Sequence, residues 1–173
     1  MTSIDEKVAR SEEDRDSVLT VGVFDGVHRG HQHLISRLVG EATGTRRLSG
    51  VVTFCKHPDS VLRPDFKPQY LTSLDERIRL IRGLGVDFVV SLNFDVALSR
   101  LSVREFVARL QQQHRMRGLV VGPDFAMGYR REGDVRMLAT LGEELGFSVD
   151  VVEGLVDQYG PVRSTTIRKT LAR

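Results

Sequence analysis

The sequence lacks the features that would tie it to a membrane, to a disulfide-linked secreted fold or to a zinc finger. Cys55 is the only cysteine among 173 residues, which excludes an internal disulfide and a cysteine-based zinc cluster and fits a reducing compartment. No apolar run reaches the roughly 18 residues of a membrane span. The charged opening residues also lack the apolar centre of a signal peptide. We therefore expect a cytoplasmic protein with no membrane partner.

An excess of charge of one sign is missing as well. The formal net charge of +2 is too small to predict nucleic-acid binding by bulk electrostatics, and we expect no nucleic-acid partner. The apolar fraction of 40% is ordinary for one globular domain. Residues 1–17 are polar and aperiodic, so we expect a loosely ordered N-terminal segment followed by one domain over residues 18–173, with a monomer favoured.

Strands and helices alternate in the hydrophobic pattern. Short apolar or β-branched runs predict five buried strands, at residues 18–24, 50–55, 86–91, 118–122 and 147–152. Apolar residues at helical spacing predict four helices, around residues 34–39, 74–84, 103–110 and 135–145, and a fifth is expected from near Ser164. The alternation predicts an α/β fold: an open, mainly parallel sheet of five to six strands with helices on both faces.

Two connections are longer than such a fold needs. Residues 56–72 contain three prolines and are expected to be irregular, and residues 123–133 form a second long loop. Both follow strands. Because ligands bind at the carboxyl edge of an open α/β sheet, we expect both loops to line one site there.

The stretch FDGVHRGH, residues 24–31, links the first strand to the first helix. Gly26 and Gly30 permit a tight turn, and a helix starting around His31 presents unpaired N–H groups that attract an anion. The stretch is neither a dinucleotide fingerprint nor a P-loop. His28 and His31 can both donate to one phosphate group, which would favour their charged forms. Two alternatives stay open: the histidines only cap the helix, or they bind a metal together with His33 and His57.

The last stretch, VRSTTIRKTLAR, supplies a second anion site. Ser164 stands at a helix N-cap position, Thr165 and Thr166 follow in the first turn, and Arg168 comes one turn later. Hydroxyls, free N–H groups and a guanidinium can hold a polyphosphate. The alternative is a capped, basic C-terminal helix without a ligand.

These motifs together resemble one enzyme family. GVFDGVHRGH at 22–31, VVTF with His57-Pro58 at 51–58, Leu71-Thr72, VGPDF at 121–125 and Ser164-Thr165 with Ile167-Arg168 occur in order and at matching spacing. They are similar to the adenylyltransferase module of bacterial FAD synthetases, within the HxGH nucleotidyltransferase superfamily. The resemblance covers residues 18–173 and implies a Rossmann-like fold of nucleotidyltransferase type. Similar proteins usually continue into a riboflavin kinase domain, which this chain is expected to lack.

The resemblance implies a reaction and its residues. The FMN phosphate would attack the α-phosphorus of ATP, with Mg²⁺ on the phosphate oxygens, to give FAD and pyrophosphate. It implies a catalytic set of His28, His31 and Arg168. It implies ATP contacts by Gly22, Val23, Phe24, Asp25, His28, Gly30, His31, Ser164, Thr165 and Arg168, and FMN contacts by Phe54, His57, Pro58, Asp124 and Phe125. The direct protein ligands of Mg²⁺ are left unassigned.

Several of these residues have a second interpretation. Asp25 either contacts ATP or fixes backbone amides, and Phe54 and Phe125 either stack on the flavin or pack in the core. Arg130 and Arg131 either close on phosphates or stay solvated. Arg163, Cys55-Lys56 and Met127 depart from the family pattern.

Other functions are compatible with the same motifs. One is a related transferase that moves AMP or CMP onto another phosphate acceptor, and another is a binding module for flavin or nucleotide that has no turnover.

Overall fold

The structure is a computed structural model that describes residues 15–153 apart from residues 64, 66 and 68, together with the backbone of residues 156–157 and 160–161. Five strands form the main sheet: β1 (Ser17–Gly22), β2 (Leu48–Phe54), β3 (Phe88–Leu92), β4 (Met116–Val121) and β7 (Ser148–Val151). Two short antiparallel pairs are added: β5 (Ala126–Met127) with β6 (Gly133–Asp134), and β8 (Val156–Asp157) with β9 (Gly160–Pro161).

Six α-helices lie in the described part of the chain: α1 (Arg29–Gly44), α2 (Asp59–Leu62), α3 (Leu74–Arg82), α4 (Val96–Ser99), α5 (Val103–His114) and α6 (Val135–Leu145). Short polar side chains fix several helix starts, because they accept hydrogen bonds from otherwise unpaired N–H groups. Ser73, Ser102 and Asp134 accept from the N–H groups of Glu76, Glu105 and Met137 at the starts of α3, α5 and α6.

The main sheet is parallel throughout, with the strand order β3-β2-β1-β4-β7. The chain leaves the central strand β1 toward β2 and β3, and later crosses back to β4 and β7 on the other side. The direction of winding therefore reverses between β1 and β4. Ligands of open α/β sheets bind at such a reversal, outside the carboxyl ends of the strands.

Alternate strand residues bury two hydrophobic layers, one on each face of the sheet. On one face, Leu19 and Val21 of β1 belong to a cluster with the apolar residues of α5 and α6. On the other face, Val18 of β1 belongs to a cluster with residues of α1 and α3. The predicted α/β fold, with five parallel strands and helices on both faces, is confirmed.

The two long connections contain more regular structure than the sequence predicts. In the first, α2 begins directly after Pro58, whose φ of −53° already suits a helix. The prediction that the prolines keep all of residues 56–72 irregular is therefore wrong. In the second, β5 and β6 pair around a 3₁₀ turn at Tyr129–Arg131.

Two other predictions can be compared only with the part of the chain that the structure describes. Residues 1–14 of the expected loose N-terminal segment lie outside them, and β1 already begins at Ser17. No helix in the described part of the chain is both long and apolar enough to cross a membrane.

The packing around Gly50 gives a test of the sheet. Gly50 of β2 lies between its cross-strand neighbours Leu19 and Phe88. A Cβ at this position would overlap the Phe88 ring and lie 2.6 Å from Leu19 Cδ2. Because the buried sheet has no space for a methyl group, we expect Gly50→Ala to lower the free energy of unfolding by about 1–3 kcal/mol in denaturant titrations.

The matched control is Gly40→Ala on the exposed side of α1, where an added Cβ meets nothing within 4 Å. There we expect a gain of about 0.5–1 kcal/mol, since alanine favours a helix interior over glycine. Equal effects of the two substitutions would contradict the packing described for β2.

Candidate active site

The turn between β1 and α1 has an unusual backbone. Gly26 has a φ of 80°, as expected for a turn glycine, but Phe24 and Val27 also have positive φ values of 55° and 41°. Non-glycine residues in this region are rare, and a β-branched one is especially unfavourable. Such strain persists only where the surroundings hold it in place, and it concentrates at functional sites.

Helix α1 begins at Arg29, two residues before the position predicted from the sequence. His28 is the N-cap: its Nδ1 accepts a hydrogen bond from the backbone N–H of His31 at 3.3 Å. Gly30 consequently lies inside the first helical turn and not in the turn that precedes it. This hydrogen bond supports the capping role that the sequence left open for His28.

The two histidines form a stacked pair. Their ring centroids lie 3.6 Å apart with planes 20° from parallel, and the Phe24 ring meets the His31 ring edge to face at 5.2 Å. Because Nδ1 of His28 accepts an N–H bond, that nitrogen carries no proton, and the neutral ring must carry its proton on Nε2. In this arrangement the His28 ring can donate a hydrogen bond from Nε2, and the charged form expected with a bound phosphate stays a prediction.

Asp25 lies in the same turn, and its carboxylate binds a distant segment. Its side chain is buried and accepts hydrogen bonds from the backbone N–H groups of Leu71 and Thr72 and from the Thr72 hydroxyl, at 2.9–3.1 Å. The Gly26 N–H donates in return to Thr72 Oγ1. Of the two interpretations of Asp25, the contacts support the one in which it fixes backbone amides, and its contact with ATP stays a prediction.

Gly22, Val23 and Phe24 form the end of β1 and the entry to the turn. The Val23 carbonyl accepts hydrogen bonds from the Thr53 hydroxyl at 2.8 Å and from Arg77 at 3.0 Å. Phe24 is buried, and its ring fills the space beside Gly22. These backbone groups are therefore fixed by internal contacts at the carboxyl edge of the sheet.

The residues expected on the flavin side lie at two different strand ends. Phe54 ends β2 and is followed by His57 and Pro58, whereas Asp124 and Phe125 follow β4. Strand β1 lies between β2 and β4, so the turn with the histidines separates the two groups. All of these residues are at the same edge of the sheet, as the sequence predicts.

Phe54 and Phe125 both take part in the hydrophobic layer of α5 and α6. Phe54 is 8% exposed and meets the Phe94 ring edge to face at 5.5 Å, while Phe125 is only partly buried. Core packing thus accounts for most of the Phe54 ring. Met127, one of the departures from the family pattern, is also buried in this layer.

The polar residues near these rings have local partners. His57 Nδ1 accepts from the Asp59 N–H, and the His57 N–H donates to the Tyr70 hydroxyl at 2.8 Å. Asp124 is exposed, and its carbonyl accepts from Arg131 Nη2 at 3.2 Å. Arg130 and Arg131 are exposed in left-handed backbone, and the Arg130 guanidinium lies 5.1 Å from the centre of the Tyr129 ring.

Sequence analysis missed one buried charge at this site, Arg77. It is 1% exposed, and its Nη1 contacts the Val23 carbonyl, the Thr53 hydroxyl and the Phe54 carbonyl at 2.8–3.1 Å. Burial lowers the pKa of Arg77, and the nearby Asp25 carboxylate opposes that shift. The signal was present in the sequence, because Arg77 falls on the apolar stripe of α3 between Leu74 and Ile81.

Three predicted site residues, Ser164, Thr165 and Arg168, lie outside the described residues, as does Thr166. The proximity of this second anion site to His28 and His31 stays a prediction. Within the described ranges, no group of three or more His, Cys, Asp or Glu side chains could hold a metal ion. The alternative in which His33 and His57 join the pair on a metal gains no support.

A family model described as FAD synthetase matches residues 10–166. The chain belongs to the FAD synthetase family. The chain is 36% identical over 156 residues to the bifunctional riboflavin kinase/FMN adenylyltransferase of Escherichia coli (strain K12), covering 90% of this chain and 50% of that protein. It is 38% identical over 165 residues to the protein of the same name from Pseudomonas fluorescens, covering 92% and 51%. The chain spans about half the length of the curated relatives it matches.

Solved structures of other proteins share the fold of this chain. A crystal structure of a protein from Streptococcus pneumoniae, named as a macrolide-efflux protein, superimposes with a TM-score of 0.81 at 28% identity, covering 91% of this chain and 51% of that one. Pantothenate synthetase from Thermus thermophilus has a TM-score of 0.54 at 19% identity, covering 91% and 63%, and shares the fold alone. The resemblance inferred from the motifs is confirmed.

The Asp25 contacts give a stability test of the turn between β1 and α1. In Asp25→Asn, the charge is lost and an amide N–H group faces the N–H of Leu71, so we expect the free energy of unfolding to fall by about 1–3 kcal/mol in urea titrations. The control is Asp65→Asn, the same chemical change at an exposed position, with an effect within about 0.5 kcal/mol. Indistinguishable midpoints for the two variants would refute the role given to the Asp25 carboxylate.

Proposed function

We propose that this chain is an FMN adenylyltransferase, which joins FMN and ATP to give FAD and pyrophosphate. An oxygen of the FMN phosphate forms a bond to the α-phosphorus of ATP, and the bond from that phosphorus to the bridging β-phosphate oxygen breaks. Pyrophosphate carries away the electron pair of the broken bond. Membership of the FAD synthetase family and the relatives at 36–38% identity support this reaction.

The observation that carries the proposal is the orientation of the His28 ring at the start of α1. Its Nδ1 is held by the His31 N–H, so the ring carries its proton on Nε2. A phosphate group at this helix start would meet an imidazole donor together with the backbone N–H groups of the first turn. Donors held in place before the reaction stabilise the charge that develops on the transferred phosphoryl group.

A general base is not needed in this reaction. The FMN phosphate is mostly a dianion at pH 7 and is already a nucleophile. What the protein must supply is alignment of the two phosphates and relief of their charge. We therefore assign His28 and His31 to hydrogen-bond donation toward ATP and not to proton removal, and we assign Ser164, Thr165 and Arg168 to the departing pyrophosphate.

We further propose that magnesium reaches the site with ATP. Mg²⁺ in phosphoryl-transfer sites is typically bound by substrate phosphates and by few protein groups, and it would neutralise charge on the phosphate oxygens. On the flavin side we propose contacts from Phe54, His57, Pro58, Asp124 and Phe125, at the ends of β2 and β4 on either side of the histidine turn. The absence of a nucleic-acid partner, a monomeric state and a cytoplasmic location stay predictions.

The reaction is tested by incubating the chain with FMN, ATP and Mg²⁺ and separating the products by chromatography. We expect FAD and pyrophosphate in equal amounts, and no product when riboflavin replaces FMN, because riboflavin has no phosphate to act as the nucleophile. CTP in place of ATP tests for a related transferase. Tight binding of FMN and ATP without FAD would instead identify a non-catalytic binding module and refute the proposal.

His28→Asn separates the two roles of His28. Asparagine is among the best N-cap residues, so α1 should keep its start and the unfolding midpoint should change little. Loss of the imidazole donor is expected to slow FAD formation about a hundredfold. His28→Ala should show the same slow rate and, in addition, lose about 1 kcal/mol of stability, since alanine cannot cap the helix.

The control for this pair is His33→Asn, the same substitution at an exposed position of α1. It should leave both the rate and the unfolding midpoint close to those of the unmodified chain. A folded His28→Asn variant with an unchanged rate of FAD formation would restrict His28 to capping.

A further inference from the structure

Arg77 is the one arginine of α3 that the fold buries. Arg79 and Arg82 of the same helix are exposed, whereas Arg77 is 1% exposed. Its Nη1 donates to the Val23 carbonyl at 3.0 Å and to the Phe54 carbonyl at 2.8 Å, and it lies 3.1 Å from Thr53 Oγ1. A single nitrogen therefore links the strand end that enters the histidine turn with the strand end that leads to the expected flavin side.

Stability alone does not explain a guanidinium at this position. A buried ion loses its hydration, and replacing buried charges by apolar side chains is often neutral or stabilising. Hydrogen bonds within the protein replace the lost hydration of Arg77 only in part, since its Nε is buried with no hydrogen-bond partner among the described residues. Buried polar groups of this kind are in some proteins retained because they specify one conformation.

The conformation that Arg77 can specify is the strained turn at Phe24–Val27. Thr53 Oγ1 donates to the same Val23 carbonyl at 2.8 Å, so the hydroxyl and the guanidinium fix the entry to the turn together. Within the turn, the Asp25 carboxylate accepts a hydrogen bond from the N–H of Thr72, which lies just before the start of α3. Helix α3 and the residues that precede it thus hold both sides of the turn that carries His28.

We propose that Arg77 is a positioning residue that couples the nucleotide turn at Val23 to the flavin-side strand end at Phe54, so that FMN and ATP each bind more tightly when the other is bound. This proposal rests on the proposed function, because it takes FMN and ATP as the ligands. Arg77 is too deeply buried to touch either substrate and acts through the two carbonyls. Because the same Nη1 donates to both carbonyls, a displacement of either carbonyl disturbs a nitrogen that the other also uses.

The test measures the FMN dissociation constant by flavin fluorescence, with and without saturating α,β-methylene-ATP, which cannot transfer its adenylyl group. In the unmodified chain we expect the analogue to tighten FMN binding about fivefold or more, the lower end of ordinary coupling between two sites. FMN must tighten binding of the analogue by the same factor, because coupling between two binding equilibria is reciprocal.

Arg77→Met keeps an unbranched apolar chain in place of the aliphatic part of the arginine and removes the guanidinium with its charge and its donors. We expect the coupling ratio to fall close to one and the turnover number for FAD formation to fall about tenfold to a hundredfold, as misplaced reacting groups would cause. The dissociation constant of the analogue measured alone should change less. Arg77→Lys restores a cation and should recover part of the coupling and of the turnover number.

Two further variants keep the test decisive. Thr53→Val removes the hydroxyl that bridges Val23 and Arg77 while leaving the guanidinium in place, so it should reduce the coupling even if Arg77→Met does not fold. Arg79→Met makes the same substitution on the exposed side of α3. Among the described residues Arg79 forms an ion pair only with Glu76, so this variant should keep the full coupling ratio.

The outcomes separate this proposal from the one it rests on. If the unmodified chain makes FAD but its coupling ratio is one, or if Arg77→Met and Thr53→Val both keep the full ratio, Arg77 has no positioning role and the proposed function stands. If the unmodified chain makes no FAD and binds neither ligand, the proposed function fails and the coupling fails with it.

Discussion

A strained turn held by two buried charges is the constraint on which the rest of the site depends. Phe24 and Val27 adopt left-handed backbone that costs on the order of 1–3 kcal/mol for each residue. The carboxylate of Asp25 and the guanidinium of Arg77 keep the turn in that shape through backbone groups of other segments. The direction in which α1 begins, and with it the position of His28, follows from these contacts.

The sheet brings chemically different segments to this turn. Because β1 is central, its carboxyl end has the ends of β2 and β4 as neighbours, and each of those strands leads into residues expected to contact the flavin. The same order leaves the hydrophobic layers of α1 with α3 and of α5 with α6 on opposite faces. The chain can thus keep two apolar cores and still concentrate polar groups at one edge.

Local patterns in the sequence predicted the strands and longer helices well, because each buries one continuous apolar face. The start of α1 was predicted two residues late, since histidine is not among the usual N-cap residues and its role depends on its ring orientation. The Asp25 contact joins residues 46 positions apart, which no local pattern encodes. Arg77 was overlooked because a charge on an apolar helix stripe is ordinarily solvated. The site residues beyond residue 161 were assigned from motifs alone.

The stacked imidazoles have a consequence for the charge that the start of α1 can hold. A proton added to Nδ1 of His28 would remove the acceptor that holds the His31 N–H, and two cationic rings with centroids 3.6 Å apart would repel each other. The cap of α1 therefore requires a His28 Nδ1 without a proton. The helix start expected to bind the nucleotide thus depends on the tautomer of a single ring.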